Sequence, residues 1–307
     1  MENTGRNIWR NALAQNGLSG QGRFWSIAFL TLFLSLWILP AEGWTQVGGG
    51  LSVMPTRIVF EGRDRTAEIV LTNRGAEAET YRITFKSMRM LEDGSYEDIE
   101  EPRENERFAA DLIRYSPRRV VLEPGTSQTL RLMLRKPADL AEGEYRSHMY
   151  FRAVPKPSSA SDIEEPDLKE DQINIQITTI FGITIPIIVR HGDLSSAIEF
   201  SDLALDLPID TLGLPNLSFR LHRTGNRSVY GDFTITYIPD NSDKEYVVGW
   251  LNGVAVYTPN LTRSLFINIH MPEGVEIDRS TFRISYRARK SDGGGILAEA
   301  ELRFPPE

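Results

Sequence analysis

The stretch from Ile173 to Val189 constrains the fold more than any other segment, because its side chains alternate with a period of two over seventeen residues. Every odd-numbered position is Ile, Phe or Val except Thr179, while Ile180 and Ile188 are the only large apolar residues at even positions. This alternation predicts a β-strand of about 55 Å, whereas ordinary strands have about five or six residues. One half of such a strand can line the core of its own domain. The other half needs a second apolar partner, since an exposed apolar strand edge either aggregates or binds another chain.

The first 43 residues have the order of a secretory signal peptide. Three arginines precede an apolar run from Phe24 to Leu39, and the small residues Ala41 and Gly43 follow it. We predict a signal peptide over residues 1–43 that is cut near Gly43 and directs export. An uncleaved membrane anchor is the alternative interpretation, although the apolar run is shorter than the roughly 20 residues of a typical membrane-spanning helix.

The composition of the remaining 264 residues excludes several classes of protein. Their formal charge is −9, against −8 for the whole chain, because the first 43 residues carry three Arg and two Glu. A mildly acidic chain argues against nucleic acid or an anionic membrane as the main partner. Cysteine is absent, so no disulfide framework or thiolate metal site is available. The length suits two domains of ordinary size.

Short alternating runs separated by turn residues fill the rest of the chain, which is typical of all-β sandwich proteins. Residues 92–94 predict a hairpin turn, and seven further strands are predicted between Ile198 and Phe304. Residues 156–171, rich in Pro, Ser, Asp and Glu, predict a mobile loop inside the first domain. The sequence therefore predicts two β-sandwich domains, an N-terminal one over 44–191 that includes the long strand 172–190 and a C-terminal one over 192–307.

No residue pattern in the sequence favours catalysis or a cofactor. The nucleophile-elbow motif Gly-x-Ser-x-Gly is absent. The acidic residues between positions 162 and 171 lack the spacing and central glycine of an EF-hand loop. The histidines are scattered singly and are interpreted as ordinary strand or loop residues: His148, His191, His222 and His270. We predict no enzyme activity, no metal and no cofactor.

Arg57 is a cation inside an otherwise apolar run. The run from Leu51 to Phe60 predicts the first strand of the N-terminal domain. A single arginine in a strand is either a solvent-facing residue or a functional cation, and the residue pattern leaves both interpretations open.

Five segments, in their order and spacing, resemble the periplasmic pilus-assembly chaperones of the chaperone–usher pathway, the PapD-like proteins. The first three are a first strand (Pro55 to Phe60), a second strand (Val70 to Asn73) and a Pro-Gly turn (Leu122 to Gly125). The other two are a strand that ends in an aliphatic residue and proline (Glu144 to Pro155) and a long alternating strand that ends in arginine (Gln172 to Arg190).

The resemblance implies two immunoglobulin-like β-sandwich domains in a boomerang arrangement, no enzymatic activity and a role in fimbrium biogenesis and cell-wall organisation. In that family the long strand is donated to a pilus subunit whose own sandwich lacks one strand, which is donor-strand complementation. The partners it implies are fimbrial subunits and an outer-membrane usher, without a small-molecule substrate. With the strand matched on its terminal arginine, the residues that contact the subunit are Ile177, Thr179 and Phe181, extended by Ile175 and Ile173.

The resemblance also assigns Arg57 to the arginine that binds the C-terminal carboxylate of the subunit, a task that suits the two-pronged guanidinium. The lysine that accompanies this arginine in the family falls on Pro186, with Thr184 next along the same face. This departure indicates a divergent member. The alternative function is an exported two-domain structural or adhesive surface protein whose long strand is wholly internal.

Overall fold

The computed structural model of the protein describes residues 50–155, 179–208 and 213–305. Several predicted features lie outside these ranges: the signal segment 1–43, the loop 156–171 and the subunit-contacting residues Ile173, Ile175 and Ile177. Across the described ranges, no helix has the length and apolar character needed to cross a membrane.

The first β-sandwich consists of two sheets and a short hairpin. Its strands, among the described residues, are β1 (Leu51–Met54), β2 (Ile58–Phe60), β3 (Thr66–Asn73), β4 (Glu79–Lys86), β5 (Met88–Met90), β6 (Tyr96–Asp98), β7 (Ile113–Ser116), β8 (Arg119–Leu122), β9 (Ser127–Leu134), β10 (Gly143–Ala153) and β11 (Gly182–His191). One sheet has the order β1-β3-β9-β7, the other has the order β2-β11-β10-β4-β8, and β5 pairs with β6. Alternating apolar side chains from the two sheets meet in one core.

The predicted single strand from Leu51 to Phe60 is wrong, because the chain changes sheets within it. β1 pairs antiparallel with β3 in one sheet, whereas β2 pairs in parallel with β11 in the other. Pro55 lies at the break and has no backbone N–H to donate to a ladder. The crossing therefore places Arg57 immediately before β2, next to the long strand.

The predicted hairpin turn at residues 92–94 is confirmed by the antiparallel pair β5 and β6. Gly94 has a φ of +86°, a conformation that glycine adopts without steric cost. The hairpin brings Met90 and Tyr96 toward the second sandwich.

The second β-sandwich contains the seven strands predicted from the sequence, with ends shifted by a few residues. They are β12 (Ser196–Asp206), β13 (Asn216–Gly225), β14 (Val229–Pro239), β15 (Tyr246–Val256), β16 (Thr262–Asn268), β17 (Ser280–Ala288) and β18 (Ile296–Phe304). The sheets have the orders β12-β13-β16 and β15-β14-β17-β18. A single 3-10 turn, Lys290–Asp292, connects β17 with β18 and is followed by two glycines with positive φ.

A separate apolar cluster joins the two sandwiches, which belong to one compact unit. Met90 and Ile188 of the first sandwich pack against Ala255 and Tyr257 of the second. This contact explains why Ile188 interrupts the alternation of the long strand. The odd-numbered residues of β11 face the core of the first sandwich, whereas Ile188 faces the other way and meets the second one.

The all-β, two-sandwich fold class is confirmed. β11 ends at His191 and β12 begins at Ser196, so the predicted boundary after residue 191 falls in the connection between the two sandwiches. The division into an N-terminal domain over 44–191 and a C-terminal domain over 192–307 stays a prediction.

Candidate functional site: a cleft and a free strand edge

A small cleft lies where the two sandwiches meet. Its cavity has a volume of about 190 Å³. The residues that line it come from both sandwiches and from the β5–β6 hairpin: Thr56, Arg57, Tyr96, His148, Thr184, Pro186, Tyr230, Gly253 and Tyr257. Three aromatic rings, one guanidinium and one imidazole in so small a space favour a planar polar ligand over an extended apolar one.

Arg57 is held in this cleft by the second sandwich. Its Nη1 donates to both carboxylate oxygens of Asp292, at 2.8 and 3.0 Å, and its guanidinium lies over the ring of Tyr230 with 4.6 Å to the centroid. The side chain is only 9% exposed, yet Nε and Nη2 have no hydrogen-bond partner among the described residues. Buried N–H groups normally find acceptors, so these two donors of Arg57 are available to a ligand in the cleft.

His148 on β10 is the second polar group of the cleft with an unpaired atom. It is 3% exposed, and its Nδ1 has no hydrogen-bond partner among the described residues. Its Nε2 lies 3.4 Å from Nη1 of Arg146, and the ring of Tyr96 packs edge-on against it at 5.2 Å. Burial, reinforced by the charge of Arg146, lowers the pKa of His148 to about 3, so the imidazole is neutral at neutral pH.

Arg146 packs beside the imidazole of His148. Its guanidinium stacks over the ring of Tyr257 with 4.6 Å to the centroid, and burial lowers its pKa. Since a guanidinium only donates hydrogen bonds, the ring nitrogen of His148 that faces it must accept.

A buried ionic network beside the cleft ties the two sandwiches together. Nε of Arg190 on β11 donates to Glu144 at 3.1 Å, and its Nη1 donates to Glu61 at 2.9 Å. Glu144 also accepts from the backbone N–H of Ser228 and from the hydroxyl of Thr258, both in the second sandwich. Burial acts to lower the pKa of Arg190, but Glu144 and Glu61 outweigh it and raise that pKa. The network fixes the walls of the cleft relative to each other.

The second part of the candidate site is an open edge of β11. On one side β10 pairs with β11 along the whole strand, whereas on the other side β2 covers only Ile187, Ile188 and Val189. The part from Gly182 to Pro186 therefore has no neighbouring strand on that side within the described chain. Unpaired strand edges are templates for pairing with another chain.

The apolar side chains of β11 become less buried toward its N-terminal end. Val189, Ile187 and Ile185 are buried in the first sandwich, Ile183 is half-buried, and Phe181 is 43% exposed. The side chains that follow the same alternation thus become exposed toward the N-terminal end of β11. Along this alternation, burial thus decreases from the core of the first sandwich to its surface.

The structure corrects the predicted extent of the strand. Thr179, Ile180 and Phe181 lie outside any strand and are exposed, whereas the alternation predicts that they belong to it. The carbonyl of Phe181 still accepts a hydrogen bond from the N–H of Ala153 at 3.0 Å, one step beyond the last paired residue of β11. Without a partner on the open side, regular pairing ends where the core of the sandwich ends.

The structure brings together only part of the predicted site. Arg57, Pro186 and Thr184 line the same cleft, while Thr179 and Phe181 lie beyond the N-terminal end of β11. His148 and Asp292 were missed. His148 carries no motif and the sequence analysis interprets it as an ordinary strand residue, and Asp292 is distant in sequence from Arg57.

No described group of three or more acidic or histidine side chains has a geometry that could hold a metal ion. Neither a family model nor a curated protein matches the sequence.

Several solved structures of chaperones are similar to this chain. The YadV chaperone has a TM-score of 0.42 at 12% identity, over 82% of this chain and 100% of that one. The CupB2 chaperone of Pseudomonas aeruginosa has a TM-score of 0.40 at 13% identity, over 82% and 99%. A chain of the CsuC–CsuE chaperone–tip adhesion subunit pre-assembly complex of Acinetobacter baumannii has a TM-score of 0.39 at 12% identity, over 82% and 97%. The similarity to these structures extends over about four fifths of this chain.

Proposed function

We propose that this protein is a non-enzymatic chaperone of the periplasm that binds and caps fimbrial subunits and passes them to an outer-membrane usher. The single observation that carries the proposal is the open edge of β11, whose apolar face continues from the buried Ile185 to the exposed Phe181. A subunit sandwich that lacks one strand is the partner that such an edge fits.

The binding mode follows from the chemistry of an unpaired edge. Backbone N–H and C=O groups of β11 and of the residues before it pair with a strand of the subunit. Alternate apolar side chains of the same residues enter the subunit's core. Each large apolar side chain buried in this way contributes about 1.5–3 kcal/mol. In this proposal Phe181 and Thr179 belong to the inserted face, and the predicted contacts Ile173, Ile175 and Ile177 extend it.

Arg57 supports the same function. Its buried guanidinium has an unpaired edge in the cleft, and a terminal carboxylate matches that edge in shape and charge. In the proposed complex the subunit's C-terminal carboxylate binds there while its groove receives the segment before β11. The predicted signal segment 1–43 provides export.

Site-specific photo-crosslinking in the native host tests this proposal. A photoreactive phenylalanine analogue at position 181 is expected to crosslink to a β-sandwich subunit that lacks one strand. The matched control is the same analogue at Phe266, an aromatic residue 65% exposed on β16 of the second sandwich. An equal pattern of crosslinks from both positions contradicts the proposal, and so does the absence of crosslinks from position 181.

Cell fractionation tests the alternative function. A chaperone is recovered from the periplasm and is absent from finished surface fibres. Recovery of this chain as a stable component of surface fibres would instead support a structural or adhesive protein.

A further inference from the structure

We propose that His148 is the second anchor of the carboxylate in the cleft and donates a hydrogen bond from Nδ1 where the resembled family uses a lysine. The inference rests on the proposed function and adds to it the residue that completes the site. The carboxylate is the C-terminal group of a peptide chain, which the free edge of Arg57 and the His148 ring bind together.

Arg57 has one unpaired edge, formed by Nε and Nη2. Asp292 uses only Nη1, so the two remaining donors, Nε and Nη2, stay unpaired. These two nitrogens point to the same side of a guanidinium and form the edge that binds a carboxylate in a bidentate manner. Asp292 thus serves as a positioning residue, because it holds the guanidinium by its other end and leaves this edge for a ligand.

The tautomer of His148 is determined by its neighbour Arg146. Arg146 approaches Nε2 and can only donate, so Nε2 accepts and carries no proton. In a neutral imidazole the single proton is then on Nδ1, which makes Nδ1 a donor. Arg146 therefore determines which nitrogen of His148 is available to a ligand.

His148 lies on β10, beside the long strand, and borders the cleft. It pairs directly across the β10–β11 ladder with Pro186, the residue that occupies the place of the family's lysine. Proline offers no side-chain or backbone donor there, whereas the imidazole borders the same cavity. His148 thus places an imidazole at the cavity from the strand beside Pro186.

The size and the hydrogen-bond donors of the cavity fit a carboxylate. Three unpaired N–H donors, Nε and Nη2 of Arg57 and Nδ1 of His148, belong to side chains that are more than nine-tenths buried. Both residues border one cavity of about 190 Å³, which admits a carboxylate and its α-carbon. All three groups donate and none accepts, so the site selects an anionic acceptor over an amide or an amine.

The test uses N-acetylglycine as a minimal C-terminal carboxylate and N-acetylglycinamide as its uncharged counterpart. In the full mature chain labelled with ¹⁵N at histidine and arginine side chains, N-acetylglycine is expected to shift the resonances of Nδ1 of His148 and Nε of Arg57. The amide is expected to leave both unchanged. Equal shifts with the two compounds, or no shift with either, overturn the proposal.

Two variants isolate the contribution of His148. His148→Phe keeps a ring without a donor and is expected to weaken N-acetylglycine binding about tenfold, the scale of a hydrogen bond to a charged partner. His148→Asn retains an N–H near the position of Nδ1 and is expected to restore most of the affinity. Unchanged affinity in His148→Phe overturns the proposal; should that variant fail to fold, the wild-type shift of Nδ1 and the affinity of His148→Asn decide.

The outcome separates this inference from the proposed function. If N-acetylglycine binds as expected but position 181 crosslinks to no subunit, the chaperone function is wrong and the carboxylate site stands. If subunits are captured at position 181 and His148→Phe binds N-acetylglycine normally, the function stands and His148 is not an anchor.

Discussion

Arg57 and Asp292 form a buried ion pair across the cleft, with Nη1 at 2.8 Å from Oδ1. One partner precedes β2 of the first sandwich, and the other ends the turn between β17 and β18 of the second. The pair therefore links the position of the candidate anchor to the contact between the sandwiches.

Asp292→Ala is expected to destabilise the protein by about 3 kcal/mol, because removal of one partner leaves the other charge buried and unpaired. Chemical denaturation at neutral pH measures the loss. The matched control is Asp240→Ala, which breaks the more exposed pair between Asp240 and Arg303 and is expected to cost less than about 1 kcal/mol. Equal losses in the two variants would contradict a structural role for the buried pair.

Arg57→Lys is expected to weaken capture of a subunit with a free C-terminus by about tenfold or more. Lysine keeps the charge but loses the two-pronged edge that binds a carboxylate in a bidentate manner. Surface plasmon resonance with the purified subunit provides the measurement. The same subunit extended by several residues at its C-terminus is expected to bind the wild type and the variant alike; tight binding of the extended subunit by the wild type alone would sink the anchor assignment.

Phe181→Asp is expected to reduce subunit binding by at least tenfold and to change the stability of the free chain by less than about 0.5 kcal/mol, since the side chain is exposed. The control is Phe266→Asp, which makes the same substitution on the second sandwich. Ile175→Asp and Ile177→Asp are expected to act like Phe181→Asp. Parallel binding and denaturation measurements decide, and a binding loss in the control of the same size argues against a specific edge.

His148 is expected to make the protein less stable as the pH falls. Its folded-state pKa of about 3 lies below the unfolded value of 6.5, so between these values the unfolded chain binds a proton that the folded chain does not. The stabilisation is complete above about pH 6.5 and decreases as the pH falls toward 3, by about 2 kcal/mol between pH 7 and pH 5. The neighbouring cations are Arg146, Arg57 of the same cavity and Lys86, which pairs with His148 across the β4–β10 ladder.

Denaturation of the wild type and of His148→Asn at pH 7 and pH 5 measures this effect. The variant is expected to lack about 2 kcal/mol of the wild-type decrease, because asparagine does not titrate. An identical pH dependence in both proteins would show that His148 is protonated in the folded chain as readily as in the unfolded one.

Local pattern predicts the strands of this protein well. The seven strands of the second sandwich and the hairpin at residues 92–94 follow from alternation and turn residues, since both signals lie within a few neighbouring residues. The change of sheet at Pro55 is not predicted by alternation, because the apolar period continues through it and only the choice of partner strand changes.

The candidate site was predictable only in part. Arg57 is recognisable as an isolated cation in an apolar run, and the segment around Phe181 as an alternation too long for one core. The interruption at Ile188 is visible in the sequence, but its cause, the contact with Ala255 and Tyr257, is not.

The sequence alone determines that the chain forms two sets of β-strands and that one long apolar face exceeds the needs of its own core. These properties arise from the alternation of side chains along an extended backbone, which is a local feature. Only the tertiary structure decides that Asp292 holds one end of Arg57 and that His148 lies across from Pro186 with an unpaired Nδ1. Those relationships depend on which strands become neighbours and how the two sandwiches pack, and residues far apart in sequence carry no local signal of that pairing.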